Sequence, residues 1–292
     1  MSGRGPATTI VVATRDRAGQ VLATLTRLVG REDAAAVIVV DNGSSDGTAA
    51  AVRRRFPDVT VVALAENHGA AARNIGVAGA TTPYVAFADD DSWWAPGALA
   101  RAAEHLDAHP RLGLVAARIL VGGGDRLDPT SVEMAMSPLR TGDGLAAPGV
   151  LGFVACGAVV RRTAFLSVGG FPARYVIGGE EELLALDLAA AGWELAYLDD
   201  VVAHHDPHDS SRRRRLWLTA RNDLWTVWLR RRGITLVRAT GAALGDAARD
   251  PVSRRGLLAA LSGLPWVLRA RRPLPWPVER ARRRVEDAPS RC

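Results

Sequence analysis

Asp89, Asp90 and Asp91 stand in a row directly after the apolar run at residues 84–88. Three adjacent like charges repel, and a divalent cation among them lowers that cost. Carboxylate oxygens are hard ligands suited to Mg²⁺ or Mn²⁺, and such an ion would in turn hold the phosphates of a substrate. An acidic turn after a strand is the plainer reading of the same triplet. In an open parallel sheet, ligands sit at the carboxyl ends of the strands, so the strand before the triplet would deliver three negative charges to the rim where chemistry happens.

The elements that must place this rim follow from periodicity. Residues 7–13, 36–40, 59–64 and 84–88 are short β-branched or apolar runs. Between them lie helical stretches: Val21, Leu22, Leu25 and Leu28; a stretch capped by Ser45 or Asp46 and running to Phe56; and residues 70–80. Strand alternating with helix, with no immediate hairpin, predicts an α/β fold with a mostly parallel, doubly wound sheet. Residues 96–109 read as a further helix, 112–120 as a strand, 180–191 as a helix ended by Gly192, and 193–202 as a strand. Residues 121–148, rich in Gly, Pro, Asp and Ser, predict a long loop. After Ser210 the composition shifts to Arg and Trp, predicting a helical extension over 210–292 on a domain spanning 1–209. Its helices are expected near 212–232, 234–249 and 252–271.

In five places the chain resembles the family 2 glycosyltransferases, which have the A-type glycosyltransferase fold. The matching segments, in order, are Thr14-Arg15-Asp16-Arg17, residues 39–48 around Asp41, residues 67–76 around Arg73, the Asp89-Asp90-Asp91 triplet, and Gly179-Glu180-Glu181 with Ala191-Gly192-Trp193. The resemblance implies a nucleotide-diphosphate sugar donor, UDP- or dTDP-linked, a divalent metal and an inverting transfer to an acceptor hydroxyl. Thr14, Arg15, Asp41, Arg73, Asp89 and Asp90 would then contact the donor. Asp41 would accept the N3–H of uracil or thymine, unless it serves only as an Asx-turn residue. Arg73 would add positive charge near the phosphates, or remain a solvated helix residue. Asp91 would hold the ion, with Asp89 or Asp90 helping directly or through the ribose; His205 would be a further ligand by position, or else a polar loop histidine, and since His204 and His205 face opposite sides of an extended segment, at most one serves. The general base would be Glu181, with Glu180 the adjacent candidate. The sequence departs from the family where Glu181 replaces the usual Asp, Leu183 a frequent second Asp, and Asp187 a frequent Arg. An acidic first turn facing the helix dipole accounts for residues 180–182 without catalysis. Arg221-Asn222 resembles a pair present in some members. Trp93 and Trp94 would either floor a substrate site or serve as core and rim.

Composition bounds the alternatives. The chain has 292 residues, 48% hydrophobic, with a net charge of +6. All 37 basic residues are arginine, a bias that genomic base composition explains without nucleic-acid binding. Cys156 and Cys292 supply neither a disulfide framework nor zinc spacing, which fits a reducing compartment. The N-terminus lacks the apolar core of a signal peptide, and the apolar run at 149–160 is shorter than the roughly 20 residues of a bilayer span. A cytoplasmic protein, soluble or peripheral at the inner membrane face, is expected. Two other classes compete. A nucleotidyltransferase usually carries a Gly-rich phosphate loop near its start, and residues 14–19 have too few glycines; nor does a Gly-x-Gly-x-x-Gly follow the first strand. A non-catalytic basic protein would use the arginine runs at 212–215, 230–232, 269–272 and 282–284. No nucleic-acid motif accompanies them, but Leu257, Leu258, Leu261, Leu264, Trp266 and Leu268 adjoin the third run, as a contact with anionic membrane would need.

Overall fold

The structure, a computed structural model, describes residues 7–30, 35–122, 124, 126–142, 144–207 and 212–288, without the side chains of 212–214. Cys292 and the expected 209/210 boundary lie outside the described residues.

The first part of the chain alternates strand and helix: β1 (Thr8–Thr14), α1 (Ala18–Leu28), β2 (Ala36–Asp41), α2 (Thr48–Arg55), β3 (Thr60–Ala63), α3 (Ala72–Gly79) and β4 (Tyr84–Asp89). Runs such as Ile10-Val11-Val12 suit the pleated strand. They are buried on both faces, as strands of a parallel sheet covered by helices must be. Then come β5 (Ser92–Trp94), α4 (Ala98–Ala108), β6 (Leu112–Val121), β7 (Arg126–Leu127), α5 (Pro129–Ala135), β8 (Leu139–Arg140), β9 (Pro148–Gly149), β10 (Ala158–Arg161), α6 (Arg162–Ser167), α7 (Glu180–Ala190) and β11 (Glu194–His205). The extension comprises α8 (Arg212–Arg230), α9 (Gly233–Arg249), α10 (Pro251–Ser262), α11 (Leu264–Ala270) and α12 (Trp276–Glu286).

The sheet order is β3-β2-β1-β4-β10-β6-β11-β9-β8. β3, β2, β1 and β4 are mutually parallel, as are β6 and β11, while β10 runs antiparallel between β4 and β6. The result is a mixed α/β sheet whose longest parallel block matches the alternation in the sequence. Register sets the functional edge: Thr14 pairs with Asp41, and Ala13 with Asp89. Three of the polar residues singled out above therefore emerge together at the carboxyl ends of adjacent strands.

Residues 121–148 are not one long loop. Asp128 accepts a hydrogen bond from the Thr130 N–H and Pro129 occupies the first turn, so α5 starts there; Asp followed by Pro is a helix-start signal. The helix expected over 252–271 is divided at Gly263. A Cβ on that glycine would stand 2.6 Å from the Trp225 ring, and the Trp225 indole donates to the Ala260 carbonyl at 3.0 Å. The indole thus takes the space a side chain at 263 would need, and Pro265, which lacks an N–H, opens α11. α12, with Pro277 in its first turn, lies after residue 271, where the sequence pattern predicts no element.

Apolar residues fill both faces of the sheet, with Val12, Leu25 and Leu106 on one side and Val11, Phe87 and Leu184 on the other. A third core, around Trp225, Trp228 and Leu257, joins the extension to Tyr175 and Leu183. The helices α8 to α11 thus share a core with the segment that opens α7. Arg231, buried, pairs with the fully buried Glu279 of α12 at 3.1 Å, and Arg282 pairs with Glu182 of α7 at 2.7 Å.

Candidate active site

Four loops build the rim above β1, β2 and β4. Residues 14–17 and 41–48 are bonded to each other: the Asp16 carboxylate accepts the Ser45 N–H at 2.7 Å, and Asp46 accepts the Ala18 N–H at 3.2 Å. Asp41 is buried. One of its oxygens accepts the Ser44 N–H at 2.9 Å and the other the Ala49 N–H at 3.1 Å, so it shapes the turn and tethers the start of α2. Each carboxylate oxygen keeps acceptor capacity beyond one bond, and both the turn role and base recognition remain open to it. Asn42 reaches the third loop, accepting the His68 N–H at 2.7 Å and donating to the Gly69 carbonyl at 3.0 Å. Arg15 is exposed and stands 3.4 Å from Asp16.

The acidic triplet divides its three side chains among different neighbours. Asp90 turns toward the first loop, accepting from Thr14 Oγ1 at 2.9 Å and from Arg17 at 3.0 Å. Its carbonyl takes the Thr24 hydroxyl at 2.6 Å. Burial raises the Asp90 carboxyl against the opposing pull of Arg17. Asp89 pairs with the Arg73 guanidinium. Asp91 stands 3.4 Å from the Nε2 of His205, and the hydrogen bond to Asp91 raises the imidazole pKa against the effect of burial. His204 stacks on Trp93 at a 5.3 Å ring separation, and Trp93 also carries the Arg27 guanidinium 3.9 Å above its ring. Trp94 is buried and donates to the Phe87 carbonyl, so both tryptophans are held by packing within the fold.

Among the described residues, no three His, Cys, Asp or Glu side chains gather closely enough to hold an ion by themselves. Mg²⁺ and ions like it rarely need such a cage: one or two protein ligands suffice when substrate phosphates and water complete the shell. Asp91 and His205 fit that pattern, while Asp89, two residues before Asp91, is engaged by Arg73. Because ligation requires neutral imidazole, ion binding there would release the proton that Asp91 favours.

The second carboxylate cluster opens α7. Gly179, with φ +84°, is the N-cap, and Glu180, Glu181 and Glu182 form the first turn. Glu180 is buried and its Oε2 has no hydrogen-bond partner. Burial first, and the Glu180 charge second, push Glu181 up to about 8. The Arg73 charge opposes this for both glutamates. Arg73 thus sits in the field of Asp89 on one side and of Glu180 and Glu181 on the other, and these charges together outweigh the burial that disfavours its own.

A strap holds this turn in place. Val176 has φ +63° and ψ −67°, and the Ile177 N–H bonds the Tyr175 carbonyl at 2.8 Å. This is the γ-turn of the rare, strained hand, occupied by a β-branched residue. Asn222 of α8 is fully buried and donates to the carbonyls of Tyr175, Ile177 and Gly178. Arg221 donates to the Tyr175 carbonyl at 2.9 Å and to Asn222 Oδ1 at 2.8 Å. The third rim loop meets the same strap. Ala70 N–H donates to the Val176 carbonyl at 2.6 Å, and a Cβ on Gly69 would lie 2.1 Å from that oxygen. Phe171, upstream, is fixed by a two-way amide pairing with Asn74 and by rings Phe87 and Phe165 at 5.4 and 5.5 Å. The roles of Arg17, Asn42 and Asn74 were not anticipated. Each is a polar residue within a motif segment, and only tertiary contact distinguishes it from a solvated one.

A family model described as "Glycosyl transferase family 2" matches residues 9–169, more than half of the chain. The chain belongs to this family. Over 211 residues it is 29% identical to an N-acetylglucosaminyl-diphospho-decaprenol L-rhamnosyltransferase of Mycobacterium tuberculosis, covering 60% of this chain and 68% of that one. A pre-mycofactocin glycosyltransferase of the same species is 32% identical over 208 residues, 68% of this chain but only 42% of the relative. Among solved structures, the mannosyltransferase PcManGT from Pyrobaculum calidifontis, in complex with GDP-Man and Mn²⁺, covers 97% of this chain and 87% of its own with a TM-score of 0.56 at 21% identity. S. aureus TarS 1-349 with UDP-GlcNAc gives a TM-score of 0.57 at 18% identity, covering 75% and 66%. The fold is that of A-type glycosyltransferases. As a family 2 member, the protein is a nucleotide-sugar transferase.

Proposed function

We propose that the protein transfers a sugar from a UDP- or dTDP-sugar to an acceptor hydroxyl in one inverting displacement, with Mn²⁺ or Mg²⁺ held by Asp91 and His205 together with the donor's phosphates, and Asp89 engaged by Arg73 at the edge of that site. The observation that carries this reading is the position of Arg73. One guanidinium lies in the field of the metal rim through Asp89 and of the base helix through Glu180 and Glu181, so leaving-group and acceptor chemistry meet over one cation. The solved neighbours with GDP-Man and Mn²⁺ and with UDP-GlcNAc support a nucleotide-sugar and an ion on this fold. The choice of pyrimidine base rests on Asp41, whose carboxylate accepts the N3–H of uracil or thymine. Thr14, Arg15 and Asp90 line or brace the same side.

Glu181 takes the acceptor hydroxyl proton as the oxygen attacks the anomeric carbon. The bond from that carbon to the diphosphate oxygen breaks on the opposite face, and its electron pair leaves with the nucleoside diphosphate. When bound, the ion neutralises charge developing on that diphosphate. Arg73 adds a fixed positive charge beside it. A carboxyl raised by burial is a stronger base once ionised. Glu181→Gln keeps the shape and removes the proton acceptor, so turnover should fall by about 10²–10⁴-fold while donor binding persists. If Glu180→Gln collapses turnover instead, the base is Glu180. If the product, examined by NMR, retains the donor's anomeric configuration, the single displacement is wrong.

Membrane contact is supported only in part by the residues first considered for it. Leu257 is buried, and Leu264 and Trp266 pack against the third core. Leu258, Leu261 and Leu268 are exposed, Leu268 by 69%, beside the exposed Arg269 and Arg272. This smaller set would seat the extension on an anionic bilayer at the cytoplasmic face. Among the described residues no helix is long and apolar enough to cross a membrane.

A further inference from the structure

A cavity of about 530 Å³ opens beside the first turn of α7. Glu181 lines it, but no residue of the four rim loops at 14–17, 41–48, 66–69 and 89–91 does. The same carboxylate therefore faces a compartment distinct from those loops, within the volume range of small-molecule sites.

Its walls are mostly hydrocarbon and thioether. Met134, Met136 and Val132 come from α5 and the residue after it, Val150 and Phe153 from the segment after β9, and Val285 from α12. Met136 and Val132 are 52% and 39% exposed, which leaves apolar surface open at this site. Methionine adapts its shape to irregular apolar partners. The charges in the cavity are Glu133, Glu181, Glu182 and Arg282. The one cation among the described lining residues is already engaged: Arg282 donates to Glu182 at 2.7 Å and stands 3.6 Å from Glu286. Among the described residues, an anion entering here would meet three carboxyl groups and no cation free of a carboxylate partner.

We infer that this cavity receives the acceptor, and that the acceptor is an uncharged alcohol bearing an alkyl or aryl body. The inference rests on Glu181 as the base. The reactive hydroxyl would lie against Glu181, and the apolar body would extend along α5 toward α12. Helix α12 is then part of the acceptor site. It is held there by Arg231–Glu279 and Arg282–Glu182, two ion pairs that the transfer chemistry itself does not use.

The test uses the full chain and three probes below any micelle-forming concentration: n-octyl β-glucoside, methyl β-glucoside and octyl phosphate. Calorimetric titration should show octyl β-glucoside binding at least tenfold more tightly than either other probe. Met136→Glu, a change at an exposed position, should weaken octyl β-glucoside at least tenfold and leave UDP affinity unchanged. Val237→Glu on exposed α9 should change neither. Failure of octyl β-glucoside to bind, equal binding of methyl β-glucoside, tighter binding of octyl phosphate, or indifference to Met136→Glu would each overturn the inference. UDP titrated in parallel separates the two readings: loss of UDP binding in the native protein would sink the donor site and leave the cavity result standing.

Discussion

Asn222→Ala tests whether the strap ahead of α7 sets the position of the base. The amide has two hydrogens shared among three carbonyls, at 3.0 Å to Tyr175 and 3.1 Å to Ile177, with Gly178 closer. Two net hydrogen bonds at about 1 kcal/mol each, plus the Arg221 anchor lost from Oδ1, give a destabilisation of roughly 2–4 kcal/mol. That is within the usual folding stability of about 5–15 kcal/mol, so the variant should fold. The strained turn at Val176 costs of order 1–3 kcal/mol and persists only while its surroundings over-determine it. Once Asn222 is gone, the turn can relax and carry Gly179 and Glu181 with it. A displacement near 1 Å costs about 10²-fold in rate, or about 2.7 kcal/mol of barrier. Urea unfolding and steady-state transfer should therefore show both losses, with the rate loss in kcat and donor affinity nearly unchanged. A destabilised variant with native kcat would refute the reasoning, because the base would then be held by α7 alone.

Asp91→Ala and His205→Ala should each weaken Mn²⁺-dependent UDP binding by calorimetry, while metal-free binding changes little; equal affinity with and without Mn²⁺ in the native protein would remove the ion from the site. Asp41→Asn should lose less UDP affinity than Asp41→Ala, since the amide still accepts a bond, and native protein binding guanosine and uridine diphosphates equally would count against base recognition by Asp41. For Glu181, the folded pKa lies above the ordinary 4.5, near 8, so the folded state holds the proton more tightly. Its stabilising contribution is complete below 4.5 and is lost as pH rises toward 8. Glu181→Gln should therefore gain in Tm over the native protein between pH 5 and 8, and a gap that shrinks with pH would contradict the burial argument. Leu268→Glu should reduce cosedimentation with anionic liposomes at low salt, whereas unchanged binding would place any membrane contact elsewhere.

The sheet was legible because β-branched runs alternate with helical periods, and because Asp41 and Asp89 each close an apolar run. What the pattern could not reveal was β10. A run at 150–160 is apolar whether it lies parallel or antiparallel, and direction is decided by where the chain re-enters the sheet. Residues 121–148 hid α5 because the element is one short helix whose evidence is a cap, Asp128-Pro129, rather than a period. The split at Gly263 has a local mark in Pro265, which removes a backbone donor from the first turn of α11, while the packing of Trp225 against the glycine lies 38 positions away in the chain. At the site, the residue pattern marked the rim at residues 89–91, but not the division of partners within Asp89-Asp90-Asp91. Adjacent side chains in a turn diverge, and only the partners Arg73, Thr14 with Arg17, and His205 separate them.

The contact between Gly69 and Val176 joins the third rim loop to the strap with no room for a side chain and one short main-chain bond. Neither loop can diverge without the other: a residue larger than glycine at 69 demands a new path at 173–179, and a relaxed turn at 176 demands a new one at 66–70. An engineer who grafts only the 66–69 loop from another enzyme would import a displaced Glu181 along with the new loop. The graft that keeps turnover is the one in which the two segments travel as a pair.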